Sequence, residues 1–296
     1  MGVIDTAALA ETFAAAGVTG RLHARPVHAD GPEVDLGADE PVVLASVFKV
    51  LLVLEFARQA ADGQLDPTER VRVERAARLG GAGTAGCQDE VDMSLRDLAL
   101  FALALSDNTA ADLLMARVGL DNVQALAAGL GLAGTRVAGG PRQALESMFA
   151  DVGAADEAEF ARLFPALPAE RLARLAVLDP ARASAAGTPR DMTRLLALIW
   201  RDEAGPAAAC AEVRRLMSRQ SCPHRLAVAF DEDVTVAAKS GTVLGVRNEI
   251  GVVGYPDGRR YAVAVFTAGP AGLRRPAVDA AIGTAARHAV ELLRAS

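Results

Sequence analysis

The stretch Leu44-Ala45-Ser46-Val47-Phe48-Lys49-Val50-Leu51-Leu52-Val53-Leu54 constrains this chain more than any other. Apart from Ser46 and Lys49 it is apolar until Glu55, so a helix built from it has no solvent face and must be buried all round. Ser46 suits the N-cap, which puts Lys49 one turn in on the same face. A helix N-terminus disfavours a cation and burial disfavours any charged form, so both push the amine's pKa down. A neutral amine beside a serine hydroxyl is a base that can activate a nucleophile. Lysine recurs only at Lys239; every other basic residue is arginine, which cannot be deprotonated in a protein.

At 296 residues and 51% hydrophobic, the chain can bury a core as one large domain or two interleaved lobes. A net charge of −6 and basic runs no longer than Arg214-Arg215 or Arg274-Arg275 argue against a nucleic-acid partner. Apolar runs such as Leu98–Leu105 are too short to span a bilayer. Met1-Gly2-Val3-Ile4-Asp5 lacks the basic and apolar regions of a signal peptide, so a cytoplasmic location away from membranes is expected. Cys87, Cys210 and Cys222 lack metal-ligand spacing, and their odd number argues against a disulfide framework; all three are expected to pack as small apolar residues. His23, His28, His224 and His288 fall in no metal or triad spacing, and nothing calls for a metal or cofactor.

Hydrophobic pattern and punctuation place a helix over residues 4–16, a strand around Arg21–Val27, a turn at Asp30–Pro32 and an apolar stretch at Val42–Leu44. The buried helix runs from Ser46 to about Ala61, and the Gly-rich segment Gly80–Gly86 is a loop. Ser94-Leu95-Arg96-Asp97 is a capping box opening a helix Leu95–Leu105. Further helices are expected from Thr109 to Val118, over Asn122–Leu130 with Asp121 as cap, from Thr188-Pro189 to Trp200, and over Cys210–Arg219. Residues 141–187 are helical in pattern but broken by prolines. From Val234 the texture becomes β-branched, giving strands at Val234–Ala238, Asn248–Gly254 and Arg260–Phe266, the last two joined by a Tyr255-Pro256-Asp257-Gly258 turn. Pro276 opens a closing helix to about Leu293. The expected fold is α/β: segments 1–45 and 220–296 form a sheet lobe, and 46–219 form a helical lobe.

Three short elements carry chemistry. Ser46-Val47-Phe48-Lys49 opens the buried helix, Ser106-Asp107-Asn108 sits between two helices, and Lys239-Ser240-Gly241-Thr242 leaves a strand. Each alone has a plain structural use, as a cap, an Asx turn or a strand end. Together, in this order and including both lysines, they resemble the serine-reactive penicillin-recognising superfamily, marked by S-x-x-K, S-D-N and K-T-G. The nearest resemblance is to class A β-lactamases and covers nearly the whole chain, including Asp107–Leu114 and Arg247–Val252. Here the third motif keeps its hydroxyl as Lys-Ser-Gly.

The resemblance implies a β-lactamase/transpeptidase-like fold, with an antiparallel sheet flanked by terminal helices and a helical lobe. Ser46 would be the acylated nucleophile and Lys49 its base. Ser106 would relay a proton to the leaving group, and Asn108 would hold a substrate amide. Lys239 would stay cationic beside Ser106, Ser240 would bond a substrate carboxylate, and Gly241 would allow close approach. The backbone N–H groups of Ser46 and Thr242 would form an oxyanion hole. Arg247 resembles a second carboxylate anchor; otherwise it is an exposed arginine on a strand. The partner implied is a small acyl substrate carrying a carboxylate.

One part of the class A pattern is missing: the glutamate of a Glu-x-x-x-Asn loop that positions the deacylating water. Among the acids between Gly134 and Thr188, none of Glu146, Asp151, Glu170 or Asp179 stands in that context. Hydrolysis of a β-lactam acyl-enzyme is therefore expected to be slow, whereas an ester or other activated acyl substrate, or acyl transfer, would tolerate the loss better. The alternatives are a D,D-peptidase or a non-catalytic receptor for carboxylate ligands.

Overall fold

The computed structural model describes residues 6–28, 31–270 and 276–296. The expected turn residue Asp30, the Arg274-Arg275 pair and the first two residues of the expected N-terminal helix lie outside them.

In chain order, helix α1 (Ala7–Ala15) leads to strand β1 (Thr19–Pro26), β2 (Val34–Leu36) and β3 (Val42–Val43). A 3-10 turn, Ala45–Phe48, runs into α2 (Lys49–Ala61), which ends before Gly63 in the left-handed conformation. A hairpin pairs β4 (Arg70–Val73) with β5 (Val91–Ser94), followed by α3 (Leu95–Leu100), which Ser94 caps by accepting from Asp97 N. Next come α4 (Asn108–Val118), α5 (Leu120–Gly129), β6 (Arg136–Val137), α6 (Pro141–Val152), α7 (Glu157–Leu163), α8 (Ala169–Leu172) and β7 (Ala185–Gly187). The chain closes with α9 (Pro189–Trp200), α10 (Ala207–Met217), β8 (Thr235–Val243), β9 (Val246–Gly254), β10 (Arg260–Ala268) and α11 (Pro276–Ala295).

The main sheet is antiparallel, in the order β2-β1-β10-β9-β8, so strands from both ends of the chain meet along the β1–β10 pair. Its two faces follow from the two-residue period of a strand. On β10, Tyr261, Val263 and Val265 pack with α1 and α11, while Ala262, Ala264 and Phe266 join the larger core that contains α2 and α9. All nine side chains of α2 within Lys49–Ala57 except Glu55 are buried, as an apolar sequence with no wet face requires. Helices α4, α5 and α10 pack against α2.

Several expectations need correction. Asp121 lies in the first turn of α5, whose N-cap is Gly119 at φ 87°. The third motif lies inside β8 rather than beyond it, because β8 continues to Val243 against β9. A three-stranded sheet, β3-β7-β6, was not foreseen; its strands are two or three residues long, too short to show a period. Of the cysteines only Cys210 is buried, and Cys222 is exposed. Among the described residues no helix is long and apolar enough to cross a membrane.

Candidate active site

Ser46 was expected to cap the buried helix, and it does not. It sits inside the 3-10 turn, α2 begins three residues later at Lys49, and neither helix start has a side-chain cap. The serine hydroxyl is therefore not tied to backbone; it lines a cavity of about 420 Å³. Ala45, just before it, takes the left-handed conformation at φ 47°, a strained choice for a residue with a Cβ. Asn248 holds this turn to the sheet: its amide donates to Val43 O at 2.8 Å and its oxygen accepts from Thr267 N.

Lys49 is completely buried. Its Nζ donates to Ser106 O at 2.7 Å, Asn108 Oδ1 at 2.8 Å and, more distantly, Asp107 O at 3.3 Å. The whole second motif thus converges on one amine. Burial lowers its pKa well below 10.5, and the nearby charge of Lys239 lowers it further, against the pull of Asp107 and Asp112. A neutral amine keeps two N–H donors, enough for the two short bonds, and gains a lone pair. These bonds run to the second motif; none to Ser46 accompanies them.

The second motif is positioned by its own chemistry. Ser106 ends the preceding helical segment at φ 59°. Asp107 caps α4 through Ala110 N, and its other oxygen takes Thr84 N at 2.7 Å. That bond, with Thr109 Oγ1 accepting from Leu79 N, ties the Gly-rich loop to the motif and puts Leu79 and Gly80 in the cavity wall. Asp107 is the Asx-type residue; Asn108 sends its oxygen to Lys49 and lines the cavity.

Lys239 is also fully buried and donates to Ser240 O at 2.8 Å. The family resemblance implied a lasting cation here. Burial instead pushes its pKa down to about 7, with Glu249 opposing and Arg225 reinforcing. Gly241 is required by close approach: a Cβ there would stand 2.7 Å from Leu44 O. Gly241→Ala should push β8 away from the Ser46 turn, costing about 1–3 kcal/mol as overpacking does. Urea denaturation measures that cost, and the rate of Ser46 acylation should fall with it. Thr242 reaches the same cavity as Ser46 and Asn108, and its hydroxyl accepts from Arg225 Nη2 at 2.7 Å.

Arg247 is not an exposed arginine. It is 15% exposed, and its fork is taken by Asp279 of α11 at 2.9 and 2.5 Å. Asp279 also accepts from Arg225 Nε at 2.7 Å, and Arg225 donates onward to Gly241 O and Asn248 O. Gln220 accepts from Ser240 N at 2.6 Å and donates to buried Glu249. This frame of Gln220, Arg225, Glu249 and Asp279 was missed. Glu249 and Arg247 lay in a stretch singled out for resemblance; the other three carry no local signal.

The four acids considered for deacylation lie elsewhere. Asp151 accepts from Ala176 N, and Asp179 makes a turn contact to Ala181 N. Among the described residues lining the cavity, the one acid is Glu157 at the exposed start of α7. Asp112, one helical turn beyond Asn108, was also overlooked: burial raises its pKa to about 6, and it accepts from Arg142 N at the start of α6.

The model of the beta-lactamase enzyme family matches residues 6–293, nearly the whole chain. The chain belongs to that family. Among curated proteins it is 29% identical over 295 residues to the beta-lactamase regulatory protein BlaB of Streptomyces cacaoi, covering 94% of each chain. The β-lactamase of Sphaerobacter thermophilus has the same fold, with a TM-score of 0.78 at 24% identity over 99% of this chain and 98% of that one. So has PBP-A, a variant of which was solved as an acyl-enzyme complex with penicillin G (TM-score 0.75, 18% identity, 96% and 95% covered). The fold expectation is met: an antiparallel sheet with terminal helices on one face and a helical lobe on the other.

Proposed function

We propose that this member of the beta-lactamase family is a serine hydrolase that forms a covalent acyl-Ser46 intermediate and releases a β-lactam acyl group slowly. The observation that carries this reading is the buried amine of Lys49, lowered in pKa and one helical turn from a serine hydroxyl left unengaged at a cavity wall. Lys49 takes the hydroxyl proton as Ser46 attacks the carbonyl carbon, and the oxyanion develops beside the backbone N–H groups of Ser46 and Thr242. Ser106, whose carbonyl already holds Lys49, returns the proton to the departing nitrogen or oxygen. Lys239 in its protonated form attracts a substrate carboxylate toward Ser240.

Slow release is supported by the acids: Glu146, Asp151, Glu170 and Asp179 are absent from the cavity wall. A second reading has support of its own, since the curated relative is named as a regulatory protein. A serine acylated by penicillin and slow to hydrolyse would also serve a sensor.

Intact-mass measurement after mixing with penicillin G tests both steps. The expected result is a penicilloyl adduct on Ser46 that persists after free drug is removed and is missing in Ser46→Ala. Multiple turnovers without an accumulating adduct would establish an efficient β-lactamase. No adduct with penicillin or with an activated ester would leave only a non-covalent receptor.

A further inference from the structure

The cavity beside Ser46 is more apolar than an anchor for charged ligands requires. One wall is the face of α6 that carries Ala144, Leu145 and Met148, spaced at one helical turn. The neighbouring α7 and the turn after it add Phe160 and Phe164 to the lining. Their rings pack tilted against each other with centroids 4.8 Å apart, and Phe149 of α6 packs on Phe160 at 4.9 Å.

Yet α6 and α7 contain no buried residue at all. An amphipathic helix normally closes its apolar stripe against a core; these stripes border an open cavity instead. The helices are nonetheless fixed. Asp112 receives Arg142 N at one end of α6, and Asp151 receives Ala176 N at the other. The volume of about 420 Å³ falls in the range of pockets that enclose small ligands, which are mostly apolar with a few polar groups converging at one end. Here the few polar side chains of the lining are Ser46, Asn108, Thr242, Ser184 and, at the exposed start of α7, Glu157.

We infer that the cavity is an acyl pocket, and that the substrates of Ser46 carry a large apolar group on the acyl side of the scissile bond, as in esters of medium-chain aliphatic acids. This rests on the acyl-Ser46 reading and adds the substrate class. Ser46 Oγ bonds to the acyl carbon as the alcohol leaves with the proton; water then cleaves that ester, releasing the free acid and restoring the hydroxyl. The apolar chain stays against α6 and α7 throughout, so its burial aids binding and the intermediate alike.

The test uses the whole protein with p-nitrophenyl acetate, butyrate, hexanoate, octanoate and decanoate, so that the leaving group is constant. Acylation of Ser46 is followed separately by intact mass. The expected result is a kcat/KM that rises about two- to fourfold per methylene while the chain stays within the pocket. Ala144→Phe, which fills the space while adding no charge, should move the optimum to shorter chains, with thermal melting confirming a folded protein. Ser46 acylated at rates independent of acyl length would overturn the acyl pocket and leave the serine reading standing. No adduct with any ester would overturn both.

Discussion

Lys49→Met should slow acylation of Ser46 by about 10²- to 10⁴-fold, the usual worth of a positioned general base. Methionine has nearly the length of lysine and suits a fully buried helical position. The substitution removes the cost of burying an amine but leaves Ser106 O and Asn108 Oδ1 without their donor. Each unsatisfied acceptor costs about 1–3 kcal/mol, so a lowered but cooperative melt is expected together with the far larger kinetic loss. Activity should separate the two roles: a residue that only supported packing would lower the melting temperature and spare the rate.

The pH profile adds a signature. Only the neutral amine can accept the serine proton, so acylation by a neutral ester should rise as pH climbs through the folded pKa of Lys49, and this limb should vanish in Lys49→Met. The stability linkage has the same sign for Lys239. Its folded pKa of about 7 lies below the unfolded 10.5, so the unfolded chain binds the proton first between those values. Stability should therefore increase with pH from about 7 toward 10.5 and be lowest below 7. A flat stability profile over that window would argue against a desolvated amine at position 239.

The parts of this site that could be read from the sequence are those fixed by residue chemistry at short range. Two lysines in a chain of arginines, one of them in an all-apolar helix, announced groups kept for their ability to lose a proton. The capping roles of Ser94 and Thr188 were legible because a cap and its target lie three residues apart. Ser46 carried the same local signature, but tertiary packing overrode it. Asn248 and Gly241 draw the turn against the sheet, the 3-10 geometry results, and α2 starts at Lys49. Contacts between distant segments left no local trace. The helical pattern of 141–187 was legible, but not that the apolar stripe of α6 borders an open cavity. Arg247 was open between a carboxylate anchor and an exposed arginine, because its partner Asp279 lies 32 residues away on another element.

That partner is the basis of the largest expected change in stability. Asp279→Ala should destabilise the protein by about 3–5 kcal/mol, the range for deleting one member of a buried ion pair. Arg225 is 2% exposed and Arg247 15%, and one carboxylate serves both. Without it Arg225 keeps Gly241 O, Asn248 O and Thr242 Oγ1, but it loses its directly bonded carboxylate. Asp279→Asn retains an acceptor and loses the charge, so it should fall between the wild type and alanine. The pH dependence fixes the mechanism. Burial pushes the Asp279 carboxyl up, but the bonds from Arg247 and Arg225 outweigh it and hold the pKa below 3.8. Its contribution is then complete above the unfolded pKa of 3.8 and is lost as pH falls through the lower folded value. Urea denaturation near neutral pH should show the full difference between wild type and Asp279→Asn, shrinking as acid protonates Asp279 in the wild type. Because Arg225 grips the carbonyl of Gly241 and the hydroxyl of Thr242, the same variants should acylate more slowly even where they are fully folded. A destabilisation under about 1 kcal/mol, the level of an exposed pair, would mean that solvent rather than Asp279 balances the two arginines.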